Sequence, residues 1–122
     1  MSFIADPLVH RVIGCAIAVH RALGPGLLES TYLRCLCAEL RAAGIPFESE
    51  VTVPLVYRDI NIERAYRIDL LVDRRLVVEV KSCATVLPIH KAQVRTYVRL
   101  CRGAQGLILN FNEGRMTDGV KR

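Results

Sequence analysis

Apolar residues recur along this chain first with a helical period, then with the period of a strand, then with each again. Over residues 7–23, Val9, Val12, Ile13, Ala16, Ile17 and His20 fall on one stripe. Asp6 followed by Pro7 supplies a cap and a proline tolerated in the opening turn, so the spacing predicts a helix. Gly24, Pro25 and Gly26 break it. A second helix is predicted over residues 27–43, stopped by Gly44, with Glu29 on the same stripe as Leu33, Leu36 and Leu40. A carboxylate heading a core-facing row is unusual. The simpler alternative places Glu29 in the first turn, offsetting the helix macrodipole and leaning out to solvent.

From residue 47 to 57, Val51, Val53, Leu55 and Tyr57 alternate with Glu50, Thr52, Pro54 and Val56, which predicts a strand. Its Pro54 implies an edge position or a bulge. Residues 58–61 turn into a hairpin whose first strand begins as early as Ile62. After Ser82 and a short loop, Pro88 opens a third helix ending near Arg102, before Gly103. On it Gln93 and Tyr97 share a stripe with Ile89 and Leu100, while Lys91, Arg95, Arg99 and Arg102 form a basic stripe opposite. The Gln and Tyr travel with apolar residues, so their face is expected inward and the basic one in solvent. Residues 106–111 make a last strand, followed by a polar tail. The order helix, helix, three strands, helix, strand puts a crossover helix before the final strand, which predicts an α/β fold: a mixed sheet flanked by helices.

The chemistry concentrates in residues 66–82, YRIDLLVDRRLVVEVKS. A three-residue connection of Asp73, Arg74 and Arg75 sets Val72 opposite Leu76 and Asp69 opposite Glu79, with Lys81 returning to the same face. A two-residue loop would instead oppose Asp69 to Val80 and part the carboxylates. The plainest account is a cross-strand ion pair on a solvated face. Against it stands the run Leu76, Val77, Val78 and Val80, typical of a strand covered on both faces. Charges there are costly unless compensated, and a divalent cation on hard carboxylate oxygens compensates them.

Composition narrows the classes. At 122 residues, 52% hydrophobic and 24% charged, the chain suits one globular domain with its own core. No apolar run approaches a membrane span and no signal peptide precedes the first helix, so a cytoplasmic location is expected. A net charge of +5 favours a polyanionic partner. The five cysteines, an odd number on apolar faces, suit reduced core thiols better than a disulfide framework. Cys35 and Cys37 point to different sides of their helix and are poor joint zinc ligands. The first helix, apolar over much of its surface, is a candidate homodimer face.

The ordered set of Asp69, Glu79-Val80-Lys81 on the next strand, Glu29 on a preceding helix, and Gln93 and Tyr97 on a following one resembles the PD-(D/E)xK nuclease superfamily. Gly26-Leu27-Leu28-Glu29-Ser30-Thr31-Tyr32 looks like the signature of the GxxExxY protein family, small bacterial proteins related to the nuclease domains of recombination enzymes. The likeness runs from His20 to the C-terminus; it departs at Ile68, where a proline would precede Asp69. It implies a restriction-endonuclease-like fold, a single domain over residues 1–122, and metal-dependent hydrolysis of phosphodiester bonds in DNA rather than RNA. By the same resemblance, Asp69, Glu79 and the backbone carbonyl of Val80 would hold Mg²⁺ or Mn²⁺, and Glu29 would bind it directly or through a water. Lys81 would orient the attacking water or stabilise the transition state. Gln93 and Tyr97 would position the substrate strand or the carboxylates. His20, otherwise a satisfied core histidine, and Arg67 are further candidates for phosphate contact. If Arg67 pairs opposite Lys81, two cations lie together, tolerable mainly beside carboxylates or phosphate.

Two other functions compete. A nucleic-acid- or protein-binding module could keep the fold and the site without turnover, although the intact acidic set with its lysine favours an enzyme. A structural ion-pair cluster in an unrelated domain would make Glu29 and Gln93 coincidences.

Overall fold

The computed structural model describes residues 6–103 and 105–122. Its elements are α1 (Pro7–Leu23), α2 (Glu29–Ala42), β1 (Phe47–Tyr57), β2 (Ile60–Val72), β3 (Leu76–Lys81), α3 (Pro88–Cys101), β4 (Gln105–Asn110), a 3-10 turn (Met116–Gly119) and β5 (Val120–Lys121). The sheet has five strands in the order β1-β2-β3-β4-β5. All neighbours are antiparallel except β3 and β4, which α3 joins as a parallel pair. This is the mixed α/β sheet flanked by helices that the element order implies. The polar tail, however, adds a short fifth strand, with Lys121 opposite Ile108 and Val120 opposite Leu109. A two-residue strand is too short for alternation to reveal.

The two faces of the sheet bury different helices. Leu70, Val72, Leu76, Val78, Val80, Leu107, Leu109 and Phe111 form one core with the apolar sides of α1 and α2. Ile68, Val77 and Ile108 form the other with Val94 of α3. The apolar face of α1 is therefore spent largely inside the fold, against β-strands and α2. Asp6 caps α1 through the Leu8 N–H and also receives both guanidinium nitrogens of Arg75, at 2.7 and 3.1 Å, and the Gln105 amide at 2.7 Å. These partners hold its carboxyl down at about 2 and tie the start of α1 to the β2–β3 turn and to β4. The cysteines among the described residues are free thiols, with Cys83 in the loop after β3 rather than on an element face. No helix among the described residues is long and apolar enough to cross a membrane.

Pro54 acts in both of the ways its chemistry suggests: β1 is an edge strand, and its register with β2 shifts between Val53 and Leu55. A second irregularity sits nearer the site. The β1–β2 ladder passes from Ser49 opposite Leu70 to Val51 opposite Ile68 without pairing Glu50 and Asp69. Glu50 is left-handed, with φ 52°. Across this point the strands change sides: Phe47 and Leu70 belong to the α1/α2 core, Val51 and Ile68 to the α3 core. Asp69 therefore lies where the regular alternation slips.

The inward face of α3 differs from the expected stripe. Val94 is its one buried residue among those described, flanked by half-buried Tyr97, Val98, Leu100 and Cys101, so Tyr97 and Leu100 of the expected stripe turn inward whereas Ile89 and Gln93 are exposed. Close approach to β4 sets this rotation. A Cβ at Gly106 would stand 2.3 Å from Cγ1 of Val94 and 3.1 Å from Cγ2 of Val98, so only glycine lets the helix lie there. Lys91, Arg95, Arg99 and Arg102 are exposed, as the basic stripe predicts. Gly106→Ala is expected to cost about 1–3 kcal/mol by overpacking. Val94→Ala, destabilising alone, should recover part of that loss in the double variant; additive losses in urea denaturation would refute the close-contact account.

Candidate functional site

The three-residue connection of Asp73, Arg74 and Arg75 places Val72 opposite Leu76 and Leu70 opposite Val78, the register that carries Asp69 toward Glu79. Asp73 and Arg74 reach it with φ of 51° and 56° despite the absence of glycine. The ladder stops at Leu70 and Val78, so the strands fork where the carboxylates sit. Backbone amides at such a fork need acceptors. The Asp69 N–H donates to Oε2 of Glu79 at 2.9 Å, and the Val80 N–H donates to Oδ2 of Asp69 at 2.9 Å. Each carboxylate thus seals the other strand's open backbone, which draws the pair together.

Glu79 is only 7% exposed, in a strand whose other residues from Leu76 to Val80 are also buried. Burial, and next the negative Asp69, push its carboxyl up to about 8, while the Lys81 cation works in the opposite direction. Lys81, two residues along β3, is half-buried and forms no ion pair among the described residues. Tyr97 packs edge-on against Tyr66, with ring centroids 5.6 Å apart, and its phenol is pushed up by burial and then by Glu79 and Asp69. Asp69, Glu79, Lys81 and Tyr97 accordingly share one locality between the β2–β3 fork and α3. Gln93, one turn earlier on the helix, is exposed.

Glu29 is placed differently. It opens α2, is exposed, and accepts a hydrogen bond from the Ser82 N–H at 3.3 Å, while Ser82 Oγ donates to the Leu27 carbonyl at 2.6 Å. The position in the first turn that offsets the helix dipole is the one adopted, at the mouth beyond β3. Among the described residues, no group of three His, Cys, Asp or Glu side chains is assembled closely enough to hold one metal ion. The expected trio of Glu29, Asp69 and Glu79 is therefore resolved into a close pair plus a carboxylate tethered to Ser82.

The donor chemistry at the pair still suits a hard divalent ion. Oδ1 of Asp69 and Oε1 of Glu79 make no hydrogen bond among the described residues, and both groups carry oxygen only. The Phe111 N–H donates to the Lys81 carbonyl at 2.8 Å, so by strand alternation Val80 turns its backbone groups toward β2. Its N–H meets Asp69 there, and its carbonyl opens on the same fork.

The remaining candidates lie apart from the fork. His20 is buried and its Nε2 donates to the Glu113 carbonyl at 2.8 Å, the arrangement of a satisfied core histidine. Arg67 does not come to rest opposite Lys81, because the strands have already forked; it lies opposite Thr52 and sits 3.9 Å from Glu50, both side chains 61% exposed.

Asn110, which the spacing did not single out, and Tyr32, the last residue of the GxxExxY-like segment, hold the mouth together. Asn110, 1% exposed and opposite Lys81 on β4, accepts from the Cys83 N–H at 3.1 Å and the Asn112 N–H at 3.2 Å. Its amide nitrogen donates to the Cys83 carbonyl at 2.9 Å. A polar residue closing the apolar run Leu107, Ile108, Leu109 was the available signal. Tyr32 stacks on Phe111 with centroids 4.5 Å apart, donates to the Gly24 carbonyl, and accepts from the Leu27 N–H at 3.1 Å. It thereby closes the turn in which Gly26 adopts φ 101°, and so fixes the start of α2 that carries Glu29.

Comparison with curated proteins and with solved structures returned no match. A family model described as the PD-(D/E)XK nuclease superfamily matches residues 6–122. With that match over nearly its full length, and with an acidic pair and a lysine at the fork of a mixed sheet, the chain belongs to the PD-(D/E)XK nuclease superfamily.

Proposed function

We propose that this protein is a divalent-metal-dependent nuclease that hydrolyses phosphodiester bonds in DNA, in one domain spanning the chain. The observation that carries the reading is the buried Glu79 carboxyl pressed against Asp69 at an open strand fork. Two like charges in that setting require a proton or a cation between them. The donors suit Mg²⁺ or Mn²⁺ held by Asp69, Glu79 and the Val80 carbonyl, with Glu29, tethered to Ser82 at the mouth, meeting it through a water. Such an ion would supply Lewis-acid stabilisation of the scissile phosphate and a more acidic water.

The chain's own residues do the rest. Lys81 places a fixed cation beside the carboxylates, where it offsets the charge that grows on the phosphate and orients the attacking water. Tyr97 keeps its proton at neutral pH and offers a hydrogen-bond donor toward the carboxylates or the strand. Gln93, exposed on the same helix, contacts the strand at the entrance. The Gly26–Tyr32 segment supports a finer placement within the GxxExxY family, since Gly26, Glu29 and Tyr32 each have a distinct part in building the start of α2.

The test pairs binding with cleavage. Mg²⁺ or Mn²⁺ should raise the melting temperature of the wild type and shift Asp69→Ala much less. Single-stranded, duplex and branched DNA and RNA should then be incubated with wild type and Lys81→Ala in either metal. DNA cleavage lost in Lys81→Ala with the metal shift retained is the expected result. No cleavage of any substrate by the wild type, together with equal metal shifts in wild type and Asp69→Ala, would leave a binding module as the better account.

A further inference from the structure

A second feature lies on the other flank of α3. Tyr97 packs toward Tyr66 of β2, whereas Lys91, Val94, Arg95 and Val98 turn toward the β4–β5 edge, where they border a groove of about 340 Å³. Its floor is apolar, made by Val94, Val98 and Ile108 over the backbone of Gly106 and Leu107. Its two walls are basic: Lys91 and Arg95 on the helix, Lys121 and Arg122 on the strand side. No acidic residue borders the groove, and none of the four cations forms an ion pair among the described residues.

The helix stripe alone would be an ordinary solvated face. What changes its meaning is β5, which sets two further cations across from it. Like charges facing one another without an acidic side chain between them repel, and a polyanion lying between them relieves that repulsion. Lys91 and Arg95 are one helical turn apart, and Arg99 extends the row over roughly 12 Å of helix. A repeating anion therefore matches better than a single charged group, and the apolar floor offers a surface to sugar and base faces rather than to more charge.

We propose that this groove binds a single nucleic-acid strand outside the cleavage site, with phosphates on Lys91, Arg95, Lys121 and Arg122 and a nucleoside against Val94, Val98 and Ile108. This rests on the nuclease reading for its choice of polyanion. It makes the protein's grip on a long substrate separable from its action on the scissile bond.

The experiment compares the wild type with a groove variant, Lys91→Ala/Arg95→Ala/Lys121→Ala/Arg122→Ala, and a charge-matched control, Arg21→Ala/Arg34→Ala/Arg64→Ala/Arg115→Ala. Binding of a fluorescent single-stranded oligonucleotide is followed by anisotropy in EDTA over a salt series, and hydrolysis of a dinucleotide, too short to reach the groove, in Mg²⁺. The groove variant should bind at least tenfold more weakly, with the slope of log affinity against log salt reduced by about 3, while the control changes little. Dinucleotide turnover should match the wild type. Equal weakening in both variants, unchanged binding in the groove variant, or displacement of the oligonucleotide by a much tighter polyglutamate peptide would each overturn the groove. Absent turnover of both dinucleotide and long DNA would sink the nuclease reading, yet the anisotropy would still decide the groove on its own.

Discussion

Glu79→Gln is expected to make the metal-free protein more stable and to abolish hydrolysis by on the order of a thousandfold or more. The carboxyl is buried beside Asp69, and its pKa is raised from 4.5 to about 8. The folded state therefore holds a proton that the unfolded chain releases at lower pH. In EDTA, the stability linked to this proton is complete below pH 4.5, falls as pH rises, and is gone above about 8. Gln keeps an oxygen for the Asp69 N–H and offers a permanent N–H in place of the proton. Urea denaturation in EDTA at pH 7 should show a gain on the order of 3 kcal/mol, and the decline between pH 5 and about 8 should flatten. Added Mg²⁺ should then stabilise the wild type and leave the variant unmoved. A variant less stable than wild type at pH 7 in EDTA would show that the pair is not frustrated without an ion.

Asn110→Leu should be the most damaging change of a residue outside the carboxylate pair. The replacement keeps the branching at Cγ but leaves the Cys83 N–H, the Cys83 carbonyl and the Asn112 N–H without their partner. Stranding these groups costs about 3–5 kcal/mol in total, readable as a lower urea midpoint. The same change releases Ser82–Cys83, the segment whose amide holds Glu29 and whose hydroxyl holds Leu27. Glu29→Gln should therefore cost far less activity in the Asn110→Leu background than in the wild type. Full additivity of the two losses would separate Asn110 from the mouth.

What could be read from the chain was whatever local chemistry decides. Asp6 with Pro7 fixed the start of α1, Pro54 marked an edge strand with a register shift, and Pro88 opened α3. The register of Val72 on Leu76 was one of two that the glycine-free turn allowed, and the structure adopts the three-residue connection. What escaped depended on contacts across the fold. The rotation of α3 follows from a glycine on β4 that nothing on the helix foretells. The slip at Glu50 and Asp69 needs two strands at once, and it, with the fork, kept Arg67 from Lys81. Glu29 came to the mouth rather than to the pair because Ser82, far along the chain, offered it an amide.

The parallel pairing of β3 with β4 has a further consequence, for synthesis. The mouth is built from Glu29 and Leu27 near one end of the chain, Ser82 and Cys83 in its middle, and Asn110 on β4. A nascent chain still lacking β4 can pair β1, β2 and β3, bringing Asp69 and Glu79 together, but it lacks the Asn110 side chain that holds Cys83, next to the Ser82 amide on which Glu29 is anchored. The order in which the ribosome delivers these segments thus keeps the cleft unfinished until the fourth strand has left the exit tunnel.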